Sequence, residues 1–255
     1  MSCEKLYLTA PEMLECTARV VSCTPNKNDG YDLETDRTPF FPEGGGQLSD
    51  IGTVYDPMQG FVPVTHCFEA NGTVLHRTGK PFAVGEIVTL KVDAAKRLKY
   101  TQQHTGEHLL SHAYDVLFGA ENVGFHLSAS SCQIDVTLPA LTSEQAAEIE
   151  DAANAVVFSN LPVDGRFVEQ ADLAAYSLRK EPGKEFAQIR LVSVQDCDCC
   201  PCGGTHVART GDVGLFKLRG WEKRKSNIRL DFVCGGRTLA DYRLKHDITR
   251  ALSTR

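Results

Sequence analysis

The sequence predicts an α+β fold in which an N-terminal β-barrel-like domain precedes a mixed α+β domain. Three observations carry this. Turn signals recur through residues 1–93, at Asn28-Asp29-Gly30, Gly44-Gly45-Gly46, Asn71-Gly72 and Gly85, and separate short runs of strand character. Residues 94–118 then switch to helical periodicity. Helical and alternating segments follow one another from there on, with no internal repeat and no low-complexity stretch.

Each element has its own signal. Thr73-Val74-Leu75-His76 and the run from Ile87 to Val92 have the β-branched content of strands, and closing such strands into a barrel removes their edges. The boundary falls between residues 93 and 94. In the helix that follows, Leu98, Thr101, Leu109, Leu110, Ala113, Val116 and Leu117 share a face, and Gly119 is a natural stop. Residues 123–137 read as strand, with Cys132, Ile134 and Val136 alternating. Thr142 with Gln145 three residues on makes a capping box for a helix over 143–159. A short helix is expected over 171–181, and strands over 186–195 and 228–233.

Composition excludes some classes. The chain has 255 residues, 42% hydrophobic and 24% charged, the profile of a globular protein with a sizeable core. No apolar run approaches the roughly 18 residues of a transmembrane helix, so no membrane partner is expected. The N-terminus, MSCEKLYLTAPEMLEC, lacks the basic-then-apolar order of a signal peptide, which makes the cytoplasm the expected location. The ten cysteines are then expected to be thiols. Net charge is −6, yet residues 217–255 carry 11 Lys/Arg against 4 Asp/Glu. That basic segment, with Lys217, Arg219, Lys223, Arg224, Lys225 and Arg229, reads either as a solvated face or as a strip for phosphates.

Two short motifs carry metal-binding chemistry. In His104-Thr105-Gly106-Glu107-His108, two imidazoles four residues apart lie on one face of a helix and can reach a single ion. In Cys202-Gly203-Gly204-Thr205-His206, a thiolate and an imidazole flank two glycines that permit a tight turn. Thiolate with imidazole favours zinc. Cys197, Cys199 and Cys200 compete with Cys202 on spacing alone, as buried thiols, redox-sensitive thiols or ligands of a second metal.

QHTGEHLL, followed about a hundred residues later by CGGTHVARTGDVGLFKL, resembles the editing domain of alanyl-tRNA synthetase. The segment from Thr38 to Gly52, TPFFPEGGGQLSDIG, resembles that family's glycine-rich motif, and Ile228 to Arg237, IRLDFVCGGR, its closing strand. The resemblance runs from about residue 30 to 242. No aminoacylation domain precedes these motifs, so the expectation is a free-standing alanyl-tRNA editing protein of the AlaX type, in its medium form. HTGEH departs from the HTATH usual in the synthetases, the thiols before Pro201 exceed the family pattern, and His126 is an unexpected ionisable residue. All three bear on substrate preference.

The resemblance implies one zinc ion held by His104, His108, Cys202 and His206, and hydrolysis of the ester of tRNA(Ala) mischarged with serine or glycine. No obligate protein partner is expected. Bound zinc either polarises the ester carbonyl, lowers the pKa of a water, or anchors the substrate. Glu107, between the two histidines, is the candidate for positioning or deprotonating that water. Gln47 and Thr105 are candidates for hydrogen bonding the serine hydroxyl, because size alone cannot make a site prefer serine to alanine. Gly44, Gly45, Gly46, Gly203 and Gly204 are the candidate substrate loops, and Lys217, Arg219, Lys223, Arg224, Lys225 and Arg229 of the basic segment the candidate tRNA contacts. The alternatives are a zinc protease of the HxxEH type, a non-catalytic zinc protein that binds tRNA, and an editor of a tRNA bearing threonine.

Overall fold

The structure, a computed structural model, describes residues 3–184 and 187–253. It is mixed α+β and contains a closed six-stranded barrel, as the sequence predicts. The chain divides into two compact units, one of Met1–Leu98 with Gly203–Thr205, the other of Lys99–Cys202 with His206–Arg255.

The first unit opens with β1 (Glu4–Lys5) and a single helical turn, α1 (Leu6–Thr9). β2 (Glu15–Pro25), β3 (Tyr31–Thr35), β4 (Arg37–Thr38), β5 (Gly52–Asp56), β6 (Gly60–Ala70), β7 (Thr73–Thr78) and β8 (Ile87–Val92) follow. The barrel runs β2-β3-β7-β6-β5-β8, every pairing antiparallel, while β1 pairs with β4 in parallel. Inward residues alternate along the strands, as period-two geometry requires. Val88, Leu90 and Val92 of β8 and Val62 and Val64 of β6 fill the interior with Leu33, Phe40, Val54 and Val74. The β6–β7 hairpin closes on Asn71 and Gly72, both at positive φ, which is the turn chemistry that Asn-Gly supplies.

One buried ion pair organises the loop between β4 and β5. Asp50 and Arg97 are both buried, the guanidinium gripping both carboxylate oxygens and donating also to the carbonyls of Pro11 and Pro39. Asp50 further accepts from the backbone N–H of Phe41 at 2.7 Å. Removing either partner would strand a buried charge, at a cost of about 3–5 kcal/mol.

The second unit is built on α2 (Ala94–Phe118), whose first residues belong to the first unit. Then come β9 (Asn122–Leu127), β10 (Cys132–Val136), α3 (Ser143–Phe158), β11 (Val163–Glu169), β12 (Gln188–Val194), β13 (Asp198–Pro201), β14 (Phe216–Arg224), β15 (Asn227–Cys234) and α4 (Gly236–Ser253). Two antiparallel sheets result, ordered β14-β15-β10-β9 and β11-β12-β13. Helix α3 has the predicted capping box, with the Thr142 hydroxyl accepting from Gln145 N and the Gln145 side chain accepting from Thr142 N. Asn154 of α3 holds β14 by bonding both backbone groups of Phe216.

Several local expectations are corrected. Leu98 and Val116, expected on the packed face of α2, are exposed. The helix is buried without interruption over residues 103–111, so its middle is enclosed on all sides and its ends emerge on that same stripe. Residues 123–137 form two strands joined by a turn, because Ser128 and Ser131 bond each other and reverse the chain. The helix expected over 171–181 is a 3-10 turn, Gln170–Ala175. The strand expected over 186–195 is Gln188–Val194, and the start of that expectation, Phe186, lies outside the described residues. The basic segment is a β14–β15 hairpin followed by α4.

Candidate metal centre

The buried middle of α2 is unusually polar. Gln103, His104, Thr105, Glu107, His108 and Ser111 are all buried there. Buried polar groups are costly unless partnered, and each of these has a partner. Gln103 bonds both backbone groups of Cys234, donating to its carbonyl at 3.0 Å and accepting from its N–H at 2.9 Å. That ties α2 to β15 in the manner of a sheet rung. Gly106 makes the approach possible, since a Cβ there would collide with the Cys234 sulfur.

His104, His108, Cys202 and His206 each offer one ligand atom, and these four atoms all lie within 4.8 Å of one another. Such a group could hold a metal ion. Cys202 Sγ stands 3.5 Å from His104 Nε2 and 3.2 Å from His206 Nε2. The three imidazole rings lie 4.5–5.3 Å apart, centroid to centroid. Burial first, then the neighbouring His108, pushes His104 down to about 3. Burial pushes His108 down to about 4, against the pull of Asp198. His206 is driven well below its ordinary value by burial and by the other two histidines. All three rings are thus neutral at physiological pH and keep a lone pair to donate.

Groups around this cluster fix its members. The Thr105 hydroxyl lies 3.2 Å from His206 Nδ1 and accepts from Val207 N at 3.1 Å. The ring of Phe125 stacks on His104 with centroids 5.3 Å apart. Arg190 Nη1 donates to the Cys202 carbonyl at 2.9 Å, and Cys202 N donates to the Arg190 carbonyl at 3.0 Å. A second group, His108, Asp198 and Cys200, also has ligand atoms within 4.8 Å and is buried throughout. Sequence reasoning missed Phe125, Arg190 and Asp198, whose places depend on tertiary contacts that leave no local pattern. Cys200 was visible as a competing thiol. All ten cysteines are free.

Glu107 is not on a surface. Its Oε1 accepts from Ser111 Oγ at 2.7 Å and from Asn122 Nδ2 at 2.5 Å, while Oε2 stands 3.8 Å from His108 Nε2. In the first unit, Gln47 is buried. Its Nε2 donates to Thr205 Oγ1 at 2.8 Å and its Oε1 accepts from Thr205 N at 3.2 Å. Gly44 and Gln47 exchange backbone hydrogen bonds across Gly45 and Gly46, which both have positive φ. Gly203 has open space where a side chain would stand, and Gly204 lies beside it in the same loop.

Most of the predicted tRNA contacts are engaged with acids. Arg229 forms a two-pronged pair with Asp135, both contacts 2.7 Å. Arg224 pairs with Glu222, Arg219 with Asp231 and Lys217 with Glu150. Among the described residues, Lys223 and Lys225 of the same hairpin form no ion pair. His126 is mostly exposed, 4.0 Å from Asp135.

One stretch of the chain is similar to a tRNA-synthetase accessory domain. Residues 189–231, which include Cys202 and His206, match the family described as the threonyl and alanyl tRNA synthetase second additional domain. Over nearly its whole length the chain is similar to proteins named for alanyl-tRNA editing. It is 32% identical to the alanyl-tRNA editing protein Aarsd1 of Rattus norvegicus, over 94% of this chain and 61% of that one. It is 33% identical to the alanyl-tRNA editing protein AlaX-L of Pyrococcus horikoshii, over 93% of this chain and 59% of that one. It is also 34% identical to an alanine–tRNA ligase of Natronomonas pharaonis, over 91% of this chain and 26% of that one. The chain therefore spans about three fifths of the length of the editing proteins it matches. No helix among the described residues is long and apolar enough to cross a membrane.

Proposed function

We propose that this chain is a trans-editing hydrolase that deacylates mischarged tRNA(Ala), chiefly seryl- and also glycyl-tRNA(Ala), with one zinc ion held by His104, His108, Cys202 and His206. The observation that carries this reading is the convergence of those four donors in a chain similar to alanyl-tRNA editing proteins. Three neutral imidazoles and a thiol are a donor set of the zinc type. Zinc, when bound, would supply Lewis acidity toward the ester.

The chain's own residues supply the rest. Glu107 is held by Ser111 and Asn122 through one oxygen, which leaves the other beside His108. We assign it to orient the attacking water and accept its proton. The Thr105 hydroxyl is engaged with His206 and Val207, so its part is to hold His206 in place. Gln47 clasps Thr205 at two points and shapes the Gly203–Thr205 loop for the aminoacyl group. The Gly44–Gly46 turn offers bare backbone that a substrate can approach closely. Lys223 and Lys225 are the cations with charge to spend on phosphate, and Arg224 and Arg229 contribute less because acids already face them.

A second reading has one observation in its favour. Four protein donors around one point would fill a tetrahedral zinc site, which is the arrangement of structural zinc. The chain would then bind tRNA without cleaving it. A deacylation panel of seryl-, glycyl-, alanyl- and threonyl-charged tRNA decides. Rapid release of serine and glycine with alanine spared supports editing of tRNA(Ala), and tRNA binding with no ester cleavage supports the second reading.

A further inference from the structure

His108 has two ring nitrogens with different surroundings. Nε2 faces Glu107 at 3.8 Å. Nδ1 faces the other way, 3.3 Å from Cys200 Sγ and 3.8 Å from Asp198 Oδ2. The carboxylate does not stand alone. Arg179 donates to both of its oxygens, Nε to Oδ1 at 2.7 Å and Nη2 to Oδ2 at 3.1 Å, and the same Nη2 lies 3.5 Å from Cys200 Sγ. Backbone N of Arg179 donates to the Cys199 carbonyl at 2.9 Å, which fastens this loop to β13.

The strand explains why these residues meet. On β13, Asp198 and Cys200 are buried while Cys199 and Pro201 are less so, the alternation of a strand with one packed face. Asp198 and Cys200 therefore face His108, and Cys199 turns to Ser193 Oγ at 3.2 Å. Cys202 follows directly, so one strand delivers both the groups behind His108 and the thiol in front of it. Although His108, Asp198 and Cys200 could by spacing alone hold a second ion, the Arg179 guanidinium already occupies the cation's place against the carboxylate. Two positive charges there would repel at close range.

We propose that Asp198, clamped by Arg179, and Cys200 form a bracket that fixes the His108 imidazole with Nδ1–H outward and Nε2 toward the metal. The bracket acts as a pair of positioning residues. Nδ1–H donates to Cys200 Sγ at 3.3 Å and the Asp198 carboxylate at 3.8 Å favours the proton on that nitrogen by its charge, so the pair sets which nitrogen carries the proton, locks the ring's rotation and spares the ion the work of ordering its ligand. The inference rests on the metal-centre reading above and adds residues that carry no ligand atom to the ion.

The test is zinc affinity of the full chain, measured by competition with a chromophoric chelator, with the absorption spectrum of the cobalt(II)-loaded protein recorded in parallel. Asp198→Asn preserves the shape of the side chain and removes its charge. The expected result is zinc binding about 10- to 100-fold weaker at unchanged 1:1 stoichiometry, with a shifted cobalt spectrum. If Asp198→Asn does not fold, Cys200→Ala decides, since it leaves the Arg179–Asp198 pair intact, and a several-fold weakening is then expected. Unchanged zinc affinity and cobalt spectrum in the folded variants would overturn the bracket. Failure of the parent chain itself to bind zinc would instead overturn the metal-centre reading.

Discussion

Thr105 Oγ1 lies 3.2 Å from His206 Nδ1, joining the middle of α2 to the loop that follows β13 across a hundred residues of sequence. The same oxygen accepts from Val207 N. One hydroxyl therefore orients a candidate ligand and satisfies the backbone beside it.

Thr105→Val keeps the shape and removes the hydroxyl. It should weaken zinc binding about tenfold or more, as loss of a group behind a ligating histidine does. Thr105→Ser, which restores the oxygen, should recover most of the affinity. Equal affinities for the valine and serine variants, by chelator competition, would remove Thr105 from this role.

Glu107→Gln separates chemistry from binding. The amide retains the hydrogen bond from Ser111 but cannot take a proton. Turnover of seryl-tRNA(Ala) should fall by about 10²–10⁴-fold, the usual worth of a general base. Zinc content and KM should change little. Deacylation at the parental rate would end the proposal for Glu107.

His76 gives the barrel a pH dependence of its own. It is fully buried, with Thr38 Oγ1 2.7 Å from Nε2 and the Leu33 carbonyl 3.0 Å from Nδ1. Burial pushes it from 6.5 down to about 4, the Leu33 carbonyl opposing. The unfolded chain therefore takes up a proton between those values that the folded chain refuses. The stability at stake is fully present above the unfolded value and is lost as pH falls toward the folded one. It amounts to about 3 kcal/mol. The three histidines of the metal centre titrate in the same direction, so the comparison must isolate His76. Unfolding free energy measured from pH 7.5 to 4.5 should fall less steeply for His76→Gln than for the parent. Parallel curves would contradict the assignment.

On the β14–β15 hairpin, Lys223 and Lys225 should matter more to tRNA than Arg229. Replacing both lysines with alanine should weaken binding and lower the dependence of log K on log salt by up to about 0.7–0.9 per lysine. Arg229→Ala should leave that slope nearly unchanged, because Asp135 already neutralises Arg229. The reverse ranking in filter-binding assays over a salt series would place the tRNA elsewhere.

What the sequence could and could not reveal follows from the range of each interaction. The capping box at Thr142 and Gln145, the end of α2 at Gly119 and the turn at Asn71-Gly72 are local, and each was legible from residues a few positions apart. The barrel was legible because its strands alternate and its turns are marked by glycine. Leu98 and Val116 misled because α2 is enclosed along its middle, where a single packed face is the wrong picture. The two chelating pairs were legible separately, and their meeting came from family resemblance. Phe125, Arg190, Asp198 and Arg179 were not legible at all. Each reaches the cluster through a fold contact, such as Asp198 lying opposite His108 ninety residues away, with no spacing to announce it. The charge of the basic segment was legible, but its neutralisation by Asp135, Glu150, Glu222 and Asp231 was not.

The most direct test of the whole account is metal-dependent deacylation of seryl-tRNA(Ala). The protein is stripped with chelator, assayed, reloaded with one equivalent of zinc and assayed again, beside Cys202→Ala carried through the same steps. The account predicts that stripping abolishes serine release, that one equivalent of zinc restores it, and that Cys202→Ala neither binds zinc tightly nor regains activity. Full activity in the stripped protein, or in a Cys202→Ala chain that holds no zinc, would contradict it.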